Sequence, residues 1–283
     1  MAYRNLLLHL DHTRACAGRI DAALALAVTH GAHIAALYCV GEIRVPAWAD
    51  VRPELLEKRS ARENEQVQAV IDRFIEKAQR AGVSYETRRT PVPVDDIADE
   101  VAVHARYVDL AILGQADPAD PSAGGRSFPE SVLLACGRPV MVVPFIGAST
   151  QGGEVVMGRR VLVAWDAGRE ATRAVNDALP LLERAEHVDL VAVNPLGSGR
   201  RQGADPGSDI ALHLARHDVR VQVEHLEMRG ADPGDTILAL LSDRGSDLLV
   251  MGAYAHSRVR EIVLGGVTRN VLEHMTVPVL MSH

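Results

Sequence analysis

The sequence predicts an α/β protein made of two doubly wound, parallel-sheet domains in tandem. Three observations carry this reading. The chain repeats itself: RNLLLHLDHTRACAGRIDAALALAVTHGAHIAALYCV near the start and RRVLVAWDAGREATRAVNDALPLLERAEHVDLVAVNP from position 159 share one plan. Each has a basic residue, a short apolar strand, an Asp, a polar turn, an amphipathic helix and a second apolar strand. Further on, VDLAILG (Val108 to Gly114) matches SDLLVMG (Ser246 to Gly252), and RPVMVVP (Arg138 to Pro144) matches VPVLMSH (Val277 to His283). The second observation is that the central strands are unbroken apolar runs, as in a parallel sheet covered on both faces. The third is the regular alternation of strand with helical period.

In order, strand one is Leu6 to Leu10, or Val161 to Trp165 in the second half. The next helix carries Ile20, Ala23, Leu24, Ala27 and Val28 at helical spacing; its counterpart carries Val175, Ala178, Leu179 and Leu182. Pro180 inside the latter is expected to kink it. Strand two is His33 to Val40, or Val188 to Val193. A long helical stretch, Glu54 to Arg80, follows in the first half, and a short one near Asp209 to His217 in the second. Strand three falls near Ser84 to Thr87, or Arg220 to Leu226, and strand four at Leu110 to Leu113, or Leu248 to Met251. A helix and a fifth strand close each unit. The small, Gly-rich and polar segment IGASTQGGEVVMG separates residues 1–147 from residues 158–283.

The 283 residues are 47% hydrophobic and 24% charged, enough apolar material for two cores. A formal charge of −7 without a basic run argues against nucleic acid, whose phosphates need surplus Lys and Arg. The three cysteines, Cys16, Cys39 and Cys136, are scattered without a CxxC, so they read as small buried apolar residues in a reducing compartment. LLLHL is too short for a signal segment, and no stretch approaches the roughly 18 uninterrupted apolar residues of a membrane span. The expectation is a cytoplasmic protein with no membrane partner.

Ligands of open α/β sheets sit beyond the carboxyl ends of the strands, at the topological switch point. Residues following strands one and four are therefore the candidates. After strand four of the second half the chain reads GAYAHSRVREIVLGGVTRN. Gly252 ends the strand, and Gly265 and Gly266 precede the last helix, whose apolar face reads Val267, Val271 and Met275. Free backbone N–H groups from Gly265, Gly266, Val267 and Thr268, with the Thr268 hydroxyl, could cradle a phosphate. Ser257 and the backbone near His256 could close the loop, and Arg258 and Arg260 could face phosphates or simply form a solvated helix face. A Gly-rich turn before a helix is also often only a turn.

The spacing G-x-x-A-x9-G-G, followed by VTRNVLEHMTVPVL, resembles the nucleotide-binding signature of the universal stress protein family, G-x-x-G-x9-G-[S/T]. The strand-one Asp in HLDHT and AWDAG, the DL…G of strand four and the PV-apolar last strand extend the resemblance over nearly the whole chain. It implies an adenine nucleotide alpha hydrolase-like fold, Rossmann- or flavodoxin-like, in two tandem copies. It implies ATP, with or without Mg²⁺, or alternatively AMP or ADP, in the second domain. The phosphates would lie on Met251, Gly252, Gly265, Gly266, Val267 and Thr268. Ala164, Trp165 and Asp166 would line the adenosine side, and Val193 would touch the base. It also implies that the two domains pair through their last strands, Val277 to Ser282 and Val140 to Val143, and that two chains form a homodimer with an unidentified protein partner. Ala255 departs from the pattern; if its position needs φ > 0 the strain is roughly 1 kcal/mol. Gly266 in place of Ser or Thr deletes one hydroxyl donor.

The first half lacks this loop. Arg126-Ser127-Phe128-Pro129-Glu130 stands opposite Gly265-Gly266-Val267-Thr268-Arg269. Pro129 has no N–H to give, Phe128 is bulky, and Glu130 would repel phosphate, with Asp117 and Asp120 adding negative charge. No family-type ATP binding is expected there. Asp11, without a loop partner, reads as a helix cap, whereas Asp166 is either a ligand contact or a cap. His9 reads as a hydrogen-bonded core histidine, and Trp165 either stacks on a base or packs in the core. No nucleophile–base pair, metal-ligand cluster or SGGxDS-type loop is visible, so the expectation is a non-catalytic stress-response regulator, with a nucleotide-free interaction module and a slow ATPase as alternatives.

Overall fold

A computed structural model describes residues 2–42, 53–120, 125, 127–193, 207–226, 232–254 and 266–283. The first half runs β1 (Asn5–Leu10), α1 (Cys16–His30), β2 (His33–Glu42), α2 (Pro53–Arg80), β3 (Tyr85–Pro93), α3 (Ile97–Ala105), β4 (Leu110–Gly114), α4 (Phe128–Cys136) and β5 (Val140–Val143). A short hairpin, β6 (Thr150–Gln151) and β7 (Glu154–Val155), occupies the segment read as a linker. The second half runs β8 (Arg160–Trp165), α5 (Arg169–Leu182), β9 (His187–Val193), α6 (Ser208–Ala215), β10 (Val221–Leu226), α7 (Pro233–Arg244), β11 (Leu248–Gly252), α8 (Gly266–His274) and β12 (Val279–Ser282).

Each half is a five-stranded parallel sheet, β3-β2-β1-β4-β5 and β10-β9-β8-β11-β12. The order reverses between β1 and β4, and between β8 and β11. The crevice at the carboxyl end of that reversal is where the fold opens to a ligand. The last strands join antiparallel, Val279 opposite Val142 and Met281 opposite Val140, so all ten strands form one sheet.

Burial on both faces explains the unbroken apolar strands. Leu6, Leu8 and Leu10 point into a layer beneath α1 and α2, while Leu7 points into the layer beneath α3 and α4. All four are essentially inaccessible to solvent. Both layers run through the two halves, with Val161 and Val163 in the first and Leu162 in the second.

The repeated Asp of VDL and SDL has a structural task. Asp109 Oδ2 accepts from the backbone N–H groups of Arg4 (2.7 Å) and Asn5 (3.0 Å). Asp247 does the same for Gly158 (2.7 Å), Arg159 (3.2 Å) and Arg160 (3.3 Å). A carboxylate thus clips the first strand of each unit to the start of the fourth. Burial pushes the Asp247 carboxyl up, and those three backbone donors oppose the shift.

Several expectations shift in detail. Strand three of the first half extends to Pro93, well past Thr87. Helix α5 continues through Pro180 and stops at Leu182, with Glu183 N still bonded to Leu179 O at 2.9 Å. Pro180 therefore sits in the last turn of the helix, which continues through it. On α8 the buried side chain of the first turn is Thr268, with Val271 and Leu272 behind it; Val267 is only partly covered.

Side chains lock the halves together. Tyr3 Oη donates to Asp177 O (2.8 Å) across the halves, and Ser282 Oγ, within the second half, donates to Asp177 Oδ2 (2.8 Å). Gln115 is buried beyond β4; its Nε2 donates to the carbonyls of Leu272 (2.9 Å) and Glu273 (3.1 Å), and its Oε1 accepts from Phe145 N (3.1 Å). It thereby serves orphan carbonyls at the end of α8.

Candidate functional site

The C-terminal candidates gather at the carboxyl edge of β8, β9 and β11. Ala164 and Trp165 end β8, Val193 ends β9, and Met251 and Gly252 end β11. Gly266 opens α8, with Val267 and Thr268 in its first turn. Ala255, His256, Ser257, Arg258, Arg260 and Gly265 lie outside the described residues.

Within this group the roles divide. A Cβ built on Gly266 would meet none of the described residues within 4 Å. Among the described residues nothing fills the space at the first residue of this nine-residue helix, whose first-turn amides lack intrahelical acceptors. The Thr268 side chain is turned inward, and its Oγ1 accepts from Tyr254 N at 3.4 Å. Tyr254 has φ of 55° and sets the direction in which the chain leaves β11.

Gly252 has a different reason to be glycine. A Cβ there would stand 2.4 Å from Ala171 N and 2.6 Å from the Glu170 carbonyl carbon. The first turn of α5 packs directly on the end of β11, so the missing side chain is required by the fold. Glu170 is buried in that turn, with its carboxylate on Arg169 at 2.9 Å. Asp166 Oδ1 accepts from Gly168 N at 2.7 Å, which makes a local turn, while the residue capping α5 is Gly168 itself. Trp165 belongs to the core layer packed with Ala171, Ala174 and Val175.

In the first half, the burial pattern of α4 at Pro129, Val132, Leu133 and Cys136 matches that of Thr268, Val271, Leu272 and Met275. Pro129 therefore occupies the place of Thr268, and the first turn of α4 is short of one donor. Glu130 is buried here and stands 3.6 Å from Arg269 of the other half. Helix α1 begins at Cys16, well beyond the end of β1, and a cavity of about 630 Å³ opens at the carboxyl edge of β1, β2 and β4.

Asp11 does not cap α1: the capping residue is Ala15, with no side-chain bond. Asp11 instead accepts from Thr13 N (3.0 Å) and Thr13 Oγ1 (2.5 Å), and its Oδ2 lies 2.7 Å from Arg19. Burial alone would raise its carboxyl, but the Arg19 guanidinium, His9 and the Thr13 hydroxyl hold it well below the usual carboxylate range. The reading of His9 as a hydrogen-bonded core histidine is corrected too. It lines the cavity, its ring lies 4.8 Å from that of Phe128, and Nδ1 has no hydrogen-bond partner among the described residues. Burial first, then Arg19, lowers its pKa to about 4, so the ring is neutral at pH 7.

Arg19 is the residue the sequence reading passed over. It is 3% exposed, on a helix face otherwise made of Ile20, Ala23 and Ala27. A cation at a position whose counterpart in the repeat is Ala174 was the available signal. Among the described residues, no group of three or more His, Cys, Asp or Glu side chains is placed to hold a metal, and no helix is long and apolar enough to cross a membrane.

Comparison with known proteins locates this architecture. Residues 157–283 match the universal stress protein family. A universal stress protein of Synechocystis is 38% identical over 63 residues, which is 22% of this chain and 20% of that protein. One of Methanocaldococcus jannaschii is 34% identical over 64 residues, 23% of this chain and 39% of that protein. These matches span well under half of either relative. The crystal structure of a universal stress protein from Archaeoglobus fulgidus aligns over 98% of this chain and 94% of its own, with 17% identity and a TM-score of 0.70. That likeness extends the shared fold to both halves.

Proposed function

This chain belongs to the universal stress protein family through its C-terminal domain, and on that premise we propose that it is a non-catalytic, nucleotide-responsive regulator of stress responses. An adenine nucleotide, ATP in the first instance, rests on the N-terminus of α8. The observation that carries this reading is the helix N-terminus at Gly266, beside the switch point of the sheet, where none of the described residues would meet an added Cβ. Trp165 packs in the core, so the adenosine is left to the chain around Ala164 and Asp166 and to the end of β9 at Val193. Asp166 and Glu170 place carboxylates at the same edge, and Mg²⁺ accompanying the phosphates would offset their repulsion. Binding biases how the halves pack only through a difference in affinity between arrangements. A cytoplasmic homodimer acting on a protein partner completes the proposal.

The test is a calorimetric titration of nucleotide-free protein with ATP and Mg²⁺. One equivalent per chain, lost in Gly266→Trp, is the expected outcome. Absence of binding would leave an interaction module, and a second equivalent would restore ATP to the first half. Turnover within the usual enzymatic range, roughly 1–1000 per second, would make the protein an enzyme instead.

A further inference from the structure

Helix α3 turns a charged and apolar stripe to solvent. Its exposed positions, Asp96, Asp99, Val103 and Arg106 with Tyr107, recur at helical spacing. Val103 is 41% exposed and Tyr107 77%. Arg106 Nη2 donates to Ala135 O (3.3 Å), which sets the end of α3 beside α4 and its Leu134, 48% exposed. An apolar patch rimmed by charge, with Tyr and Arg in it, has the composition of an association surface. The rim is divided by sign. Asp96 and Asp99 stand at the N-terminal end of the stripe and Arg106 at the C-terminal end, and none of the three has an ion-pair partner among the described residues. The helix dipole favours this polarity but does not account for the exposed valine, tyrosine and leucine.

The second half is an internal control. On α7 the exposed positions are Asp235, Ala239, Ser242 and Asp243. Gly245 takes the place of Tyr107, and Glu273 that of Leu134. Arg244, the counterpart of Arg106, is held by Asp189 (3.0 Å) and Glu224. One scaffold thus occurs with the face and without it.

The order of charges selects the occupant. A stripe that is acidic at one end, apolar at its middle and basic at the other is complementary to itself run backwards. Asp99 lies four residues before Val103 and Arg106 three after it. Two such helices, antiparallel and about 8–10 Å apart, bring Asp99 of each copy to Arg106 of the other, with Val103 meeting its twin on the axis. A partner of one sign would meet its own charge at one end of the stripe, and a formal charge of −7 opposes an anionic membrane. We propose that two copies of the chain associate through this face, α3 antiparallel to α3 about a two-fold axis at Val103. The proposal gives a surface to the homodimer of the preceding reading and does not require nucleotide. A nine-residue helix with one flanking leucine makes a small interface, so the expected dissociation constant is micromolar.

The test is sedimentation velocity of the nucleotide-free full chain across the micromolar range. A monomer–dimer equilibrium is expected, weakened at least tenfold by Asp99→Arg alone and by Arg106→Asp alone. Mixed in equal amounts, these two variants should associate again, because each Arg then faces an Asp across the axis. Val103→Lys sets like charges on the axis and should be monomeric; it decides the matter should Arg106→Asp, which also loses its bond to Ala135 O, fail to fold. A dimer indifferent to the three substitutions, or single variants that do not associate when mixed, would overturn this face while leaving a homodimer built elsewhere. A chain monomeric throughout would overturn the face and the homodimer together, and the ATP titration would still decide the nucleotide reading. Binding of that monomer to phosphatidylserine vesicles or to poly-glutamate, lost in Arg106→Asp, would assign the face to another occupant and overturn the proposal as well.

Discussion

Replacing Gly252 by alanine separates a glycine kept for a ligand from one kept for the fold. The new Cβ would lie 2.4 Å from Ala171 N and 2.6 Å from the Glu170 carbonyl carbon, whereas carbon contacts settle near 3.5–4.0 Å. Both atoms are backbone in the first turn of α5, so no rotamer change relieves the overlap. Overpacking of this kind costs about 1–3 kcal/mol, and the entropy that alanine saves in the unfolded chain returns roughly 0.4–1 kcal/mol. The net loss is about 1–2 kcal/mol, or a fall in Tm of roughly 2–8 °C for a unit of this size. The assay is urea and thermal unfolding of nucleotide-free protein, with Gly266→Ala beside it. None of the described residues would meet a Cβ at Gly266, so its replacement should stay within about 0.5 kcal/mol of the parent. If Gly252→Ala were equally silent, the close approach of α5 would be refuted as the reason for this glycine.

Three further outcomes are expected. Asp247→Ala strips acceptors from the backbone N–H groups of Gly158, Arg159 and Arg160 and should cost about 1–3 kcal/mol in urea unfolding; an unchanged midpoint would remove its role as a clip. Gln115→Ala leaves the Leu272 and Glu273 carbonyls without their donor, so amide exchange along residues 266–275 should accelerate while β1 stays protected; uniform protection would mean that Gln115 does not tie the halves. His9 has a folded pKa near 4 against an ordinary value of 6.5, so the unfolded chain binds its proton first. Its contribution is therefore complete above pH 6.5 and drains away as pH falls toward 4, by up to about 3 kcal/mol. In His9→Leu the loss between pH 6.5 and 5 should be shallower than in the parent, and equal slopes would contradict the assignment.

The architecture was legible because it rests on local, repeated signals. Apolar runs such as Leu6 to Leu10 report a strand buried on both faces, and a matched Asp in VDL and SDL marks the same turn twice. The start of α8 was legible in the same way, since paired glycines before an apolar helical period announce a helix N-terminus. Gly252 was visible as a glycine but not as a contact, because the backbone of α5 that approaches it lies some 80 residues earlier in the chain. Asp11 and Asp166 showed a residue type favoured at helix caps; their partners, Thr13 with Arg19 and Gly168, emerged only once the turns were built. The composition of the first-half loop told that one amide donor is missing there, since a proline lacks its N–H in any fold. It could not tell that a cavity opens at the same edge, or that Arg19 lines it beside a His9 whose Nδ1 has no hydrogen-bond partner among the described residues. Sequence by itself determined the pattern of strands, helices and donors, because these follow from each residue and its near neighbours. Tertiary structure alone decided which charges are buried together and which glycines are crowded, because burial and close approach depend on segments distant along the chain.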